Sequence, residues 1–123
     1  MRVLIVDDES LIASSLKIFL EDEGLPAASA ASGEEAVEIL QRNGDFDVCI
    51  MDMRLPGMDG NATIRCIHQF NPEMRFIVHT GSVNYAVPSD LKTLGIHCEH
   101  LFRKPLPDMT AITDAIRSLR HTT

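Results

Sequence analysis

Four short runs of consecutive apolar residues punctuate the chain: Val3 to Val6, Val48 to Met51, Phe76 to Val78 and Leu101 to Phe102. Unbroken apolar runs of strand length are what a strand needs when helices cover both of its faces. A fifth, weaker strand is expected over Ala27 to Ala30, chiefly because two helices need a strand between them.

Helical spacing fills the gaps. Ile12, Leu16, Phe19 and Leu20 form one apolar stripe, and Gly24 with Pro26 stops that helix. Ser32 and Glu35 form a reciprocal capping box that opens a helix running to about Arg42. Ile64 and Ile67 mark a third helix ending before Pro72. Met109, Ile112, Ile116 and Leu119 mark a last one, with Asp108 as its N-cap. Between Gly81 and Gly95 the pattern is poor, and a short helix capped by Ser89 and Asp90 and ending at Leu94 is expected after a loop.

Strict alternation of strand and helix implies right-handed crossovers and a doubly wound α/β fold with about five βα units on one parallel sheet. The length of 123 residues fits a single domain over residues 1–123. Ligands of such sheets bind beyond the carboxyl ends of the strands. Asp7, Asp8, Asp52, Thr80 and Lys104 all follow an apolar run closely, so they are expected to converge at that edge.

Composition narrows the classes. A hydrophobic share of 45% with 24% charged residues suits a globular domain, and no apolar stretch is long enough for a membrane span. Val3 to Val6 is too short for a secretory h-region, so a cytoplasmic location is expected. A net charge of -7 argues against direct nucleic-acid binding by this domain. Cys49, Cys66 and Cys98 are widely spaced and odd in number, as expected of reduced, structural thiols.

The converging residues carry specific chemistry. Like charges roughly 4 Å apart cost about 4 kcal/mol per pair at an effective dielectric near 20. A hard divalent cation, Mg²⁺ or Mn²⁺, relieves that cost for Asp7, Asp8 and Asp52. A carboxylate can also attack a phosphoryl donor, and Asp52, alone after its run, suits that role. Lys104 can balance the phosphoryl charge, since Lys17 and Lys92 lie in helical segments, and Pro105 fixes the turn after it. Thr80 offers a hydroxyl and Gly81 an unhindered amide to a phosphoryl oxygen. His79 is expected to be a strand histidine hydrogen-bonded within the core, and His68, His97, His100 and His121 show no ligand spacing.

Val6-Asp7-Asp8-Glu9, the run Asp52-Met53-Arg54-Leu55-Pro56-Gly57-Met58-Asp59-Gly60, Thr80-Gly81 and Lys104-Pro105 together resemble the receiver domain of two-component response regulators over about residues 2 to 120. The resemblance implies a flavodoxin-like strand order 2-1-3-4-5. It implies that Asp52 accepts a phosphoryl group from a sensor histidine kinase or a histidine phosphotransfer protein. Asp8 and Asp52, with the Arg54 backbone carbonyl, would ligate Mg²⁺, and Asp7 would act largely through water. Thr80 and Lys104 would contact the phosphoryl oxygens, and the change would spread to an output domain or partner through the fourth helix, fifth strand and fifth helix.

Three positions depart from the family pattern. Leu101 stands three residues before the lysine, where an aromatic is frequent, and Phe102 follows it. The stretch from Gly95 to Lys104 is longer than usual, and His79 takes a usually apolar place. Arg54 and Ser82, two residues beyond Asp52 and Thr80, flank the path of hydrolytic water in receivers. Two other functions compete with the switch. A magnesium-dependent phosphohydrolase would need a second acid two residues after its nucleophile, where Arg54 stands; a pure interaction module would not need Asp8, Asp52, Thr80 and Lys104 together.

Overall fold

The computed structural model describes residues 2–81, 85–96, 101–104 and 108–119. The elements in order are β1 (Val3–Val6), α1 (Ser10–Asp22), β2 (Ala27–Ala30), α2 (Gly33–Arg42), β3 (Val48–Met51), α3 (Gly60–Phe70), β4 (Arg75–Thr80), α4 (Ser89–Thr93), β5 (Leu101–Arg103) and α5 (Thr110–Leu119). The strands form one sheet in the order β2-β1-β3-β4-β5. Every pairing is parallel, with Val6 opposite Met51, Met51 opposite Val78 and Thr80 opposite Arg103. That register brings the carboxyl ends of β1 and β3 level, while β4 runs two residues further to Thr80.

Apolar side chains alternate to the two faces of the sheet, as the two-residue period of a strand requires. Val3, Ile5, Val48, Ile50 and Ile77 pack with Ala13, Leu16 and Leu20 of α1 and Ile112, Ile116 and Leu119 of α5. Leu4, Val6, Cys49, Met51, Phe76 and Val78 pack on the other face with Leu40 of α2, Ile64 and Ile67 of α3 and Leu91 of α4. Covering both faces is what makes β1 and β3 apolar at every position. Gly33 opens α2 hard against Thr63 of α3, and a Cβ there would collide with the threonine hydroxyl.

Several local details differ from expectation. The apolar run Phe76 to Val78 is the middle of a longer β4, because His79 and Thr80 continue the strand fully buried. In α1 the buried line is Ala13, Leu16 and Leu20, with Ile12 and Phe19 half-buried at its margins. Ser32 accepts the Glu35 amide at 3.1 Å, while Glu35 reaches past the serine to the Ala31 amide at 3.2 Å. The short helix α4 exists, but Ser89 is its first residue and Pro88 occupies the N-cap without a side-chain bond. Asp108 accepts the Thr110 amide at 2.9 Å at the head of α5.

Cys49 is buried, its thiol pushed well above the usual range by desolvation, and Cys66 is half-buried; neither is in a disulfide. Among the described residues, no helix is long and apolar enough to cross a membrane. Ser82, Cys98, Pro105, His97, His100 and His121 lie outside the described residues.

Candidate functional site

Asp7 follows β1, Asp52 follows β3, Thr80 ends β4 and Lys104 follows β5, so four strand ends deliver the predicted residues to one edge. Lys104 is the hub. Its ammonium donates to Asp7 Oδ2 at 2.7 Å, to Asp52 Oδ2 at 3.2 Å and to Glu9 Oε1 at 3.4 Å, with only 9% of the side chain exposed. Its backbone amide donates to the Thr80 carbonyl at 2.9 Å, which ties the hub to β4.

The two buried carboxylates are held alike. One oxygen of each accepts the amide two residues on, Glu9 N to Asp7 Oδ1 at 2.9 Å and Arg54 N to Asp52 Oδ1 at 3.2 Å. This is the bond by which aspartate shapes a turn at the end of a strand. The other oxygen of each faces Lys104.

Burial of Asp52 raises its pKa above the ordinary carboxylate value, as does the nearby Asp7 charge, against the pull of the Arg54 amide and Lys104. Burial also works against the Lys104 charge. The hydrogen bond to Asp7 and the attraction of Asp52 and Asp7 outweigh it and hold the ammonium above its usual range.

Carboxylate oxygens of Asp7, Asp8, Glu9 and Asp52 lie within 4.8 Å of one another, with Asp8 and Glu9 exposed and the other two buried. Four clustered carboxylates, three of them bonded to the Lys104 ammonium, offer hard oxygen donors that fit a small divalent cation of the Mg²⁺ class. The structure thus brings Asp7, Asp8, Asp52, Thr80 and Lys104 together. Gly81 follows Thr80 in the open, and a Cβ on it would meet only the Lys104 side chain at 4.0 Å, an ordinary contact. The Arg54 side chain is exposed, and its amide belongs to the Asp52 turn.

Glu9 joins the cluster although the sequence reading gave it no role; its adjacency to two site acids was the available signal. Glu34 of α2 was also missed. Its carboxylate accepts the Met58 amide at 3.2 Å and rests against Gly57, whose φ of 71° suits only glycine comfortably, so α2 pins the segment after Asp52. His79 corrects an expectation: it is 4% exposed, and neither ring nitrogen has a hydrogen-bond partner among the described residues. It lies across from Phe102 on β5. Desolvation and the nearby Lys104 charge lower its pKa, against the opposite pull of Asp7 and Glu9, so the imidazole is held neutral.

The family profile described as "Response regulator receiver domain" matches residues 3–117. The alginate biosynthesis transcriptional regulatory protein AlgB of Pseudomonas aeruginosa is 32% identical over 93% of this chain, and the cell cycle response regulator CtrA of Brucella ovis 27% over 85%. This chain spans only 25% of AlgB and 44% of CtrA. Among solved structures, CheY in the CheX-CheY-BeF3-Mg complex of Borrelia burgdorferi superposes with a TM-score of 0.85 at 27% identity, covering 98% of this chain and 89% of that one. The response regulator TrrA of Thermotoga maritima, in complex with Mg and beryllofluoride, gives 0.80 at 26% identity over 96% of this chain and 97% of its own. With the profile spanning nearly every residue and the fold shared along the whole length, the chain belongs to the receiver domains of two-component response regulators.

Proposed function

We propose that Asp52 is the phosphoacceptor of this domain and that residues 1–123 act as one phosphorylation-controlled switch. The observation that carries this reading is the single buried ammonium of Lys104 shared between Asp7 and Asp52 at the carboxyl edge of the sheet. An Asp52 carboxylate oxygen attacks the phosphorus of a phosphohistidine on a sensor kinase or phosphotransfer protein. The P–O bond forms as the P–N bond breaks, and the imidazole leaves with the electron pair and takes a proton from water.

The protein's own groups divide the work. Burial leaves the Asp52 carboxylate poorly solvated, which favours attack. Lys104 can exchange its carboxylate partners for the new phosphoryl oxygens without a long movement, and Thr80 and the Gly81 amide supply neutral donors. Asp7, Asp8, Asp52 and the Arg54 carbonyl are the residues that would hold Mg²⁺ (or Mn²⁺), supported by the clustered carboxylates and by relatives solved with magnesium and beryllofluoride. Bound there, the cation supplies neutralisation of the acidic cluster and of the phosphoryl oxygens. The phosphorylated state then controls an output domain or partner only insofar as it stabilises one conformation over another.

Incubation with acetyl phosphate and Mg²⁺ is expected to add about 80 Da, one phosphoryl group in place of a proton, and Asp52→Asn to abolish the addition. Mass spectrometry of the intact chain reads both. No addition with acetyl phosphate, phosphoramidate or a phosphohistidine donor overturns the reading.

A further inference from the structure

A phosphoryl group on Asp52 changes what Thr80 and Gly81 contact, and the chain beyond them leads to α4. The residue three before the lysine, Leu101, is aliphatic and packs with the α2, α3 and α4 side of the core. The next ring along β5, Phe102, packs with the opposite cluster, beside α1 and α5. A ring does pack on the α4 side, five positions after Thr80: Tyr85 lies against the same cluster as Leu101.

The bonds of Tyr85 connect the two halves of the site. Its hydroxyl donates to Asn61 Oδ1 at 2.8 Å, and its carbonyl accepts from the Arg103 guanidinium at 3.1 Å. Asn61 is the second residue of α3, directly after Gly60. Gly60 donates its amide to the Met53 carbonyl at 3.3 Å, and a Cβ on it would collide with the Asp52 carbonyl oxygen. The Tyr85 hydroxyl is therefore bonded to the residue next to the one packed on the phosphoacceptor's own backbone.

Resting on the assignment of Asp52 above, we propose that Tyr85 and Asn61 form a latch that holds the segment leading into α4 in its resting position. Tyr85 is thereby a positioning residue for phosphoryl binding, acting through the placement of Thr80 and Gly81. Its bond is suited to exchange. It is a neutral pair, half-buried, and burial raises the phenol pKa so that the hydroxyl stays a donor across the physiological range. Between α3 and α4 themselves, the described residues show the Arg65 to Asp90 pair, whose two side chains are 46% and 57% exposed; such surface pairs contribute little. With Pro88 giving α4 no side-chain cap, the tyrosine bond is the better candidate for a tie that must break.

The test is beryllofluoride binding with Mg²⁺ to wild type, Tyr85→Phe, Asn61→Ala and the double variant, with thermal stability measured on each. If the latch opposes the bound state, Tyr85→Phe tightens the apparent Kd about fivefold, the factor equivalent to one neutral hydrogen bond of about 1 kcal/mol. Asn61→Ala does the same, and the double variant gains no more than either single one, as expected of partners in one interaction. A purely structural tyrosine would lower the Tm and leave the Kd unchanged, and that result overturns the latch, as does weaker binding. Should Tyr85→Phe not fold, Asn61→Ala carries the same decision. If wild type binds no beryllofluoride, the Asp52 assignment falls and the latch with it. If wild type binds and the variants bind no tighter, the latch falls alone.

Discussion

The segment after β3 and the segment after β4 border the same site and are held by a different balance of local and long-range bonds. From Asp52 to Gly60 most bonds are local: Arg54 N to Asp52, Gly60 N to the Met53 carbonyl, and Asp59 capping the Ala62 amide at 2.8 Å while its carbonyl accepts the Thr63 hydroxyl, with Glu34 on the Met58 amide as a long-range exception. From Tyr85 to Asp90 three side-chain ties reach 18 to 25 positions along the chain, to Asn61, Arg103 and Arg65, beside one local bond from the Thr93 hydroxyl to the Ser89 carbonyl. Local bonds re-form wherever the segment goes, so they fix its shape. Long-range bonds fix its position and can be traded for others. The edge after β3 is therefore shaped mainly from within and the edge after β4 is placed mainly from outside.

Variants can break or sharpen that contrast. The largest effect is expected at Leu91, the one buried residue of α4 and fully enclosed. Leu91→Ala should cost about 3 kcal/mol in denaturant unfolding, the usual scale for an emptied leucine site. A cost below about 1 kcal/mol would mean that packing does not hold this helix, and the contrast would fail. Asp59→Ala removes the N-cap of α3 and should cost about 1 kcal/mol. Losing as much there as at Leu91 would show that the acceptor edge depends on more than local bonds.

The smallest effect is a tilt with pH from His79. Its folded pKa lies below the unfolded value of 6.5, so protonation favours the unfolded chain. Its contribution to stability is complete above that value and is lost as the pH falls below it. Melting between about pH 7.5 and pH 5.5 should show a fall that is shallower in His79→Val. Equal slopes would mean that the imidazole stays neutral throughout or finds a partner in solution.

Much of this architecture was legible from residue pattern. The runs at β1 and β3 are apolar at every position because both faces are covered, and each of the acids Asp7 and Asp52 follows its run directly. β2 was weaker because Ala-Ala-Ser-Ala carries little apolar bulk, and its place was inferred from the helices around it. In α1, Ala13 escaped notice because a small residue adds little to an apolar stripe. The site residues converged as expected, since strand ends in a parallel sheet share one edge. What remained hidden were contacts across the chain: Glu34 on the Met58 amide and Tyr85 on Asn61 leave no periodic trace in sequence. The unpartnered His79 was equally invisible, because a strand pattern shows which face a side chain takes but not whether a partner waits there.

The bond from Lys104 to Asp7 spans 97 positions. During synthesis from the amino end, both buried aspartates therefore leave the ribosome long before the residue that neutralises them. Until β5 joins the sheet, the acids meet without their counter-charge. A nascent chain or a fragment ending before Lys104 would leave Asp7 and Asp52 without their ammonium partner. Neutralisation of the acidic edge thus arrives with β5, after the other four strands and before α5.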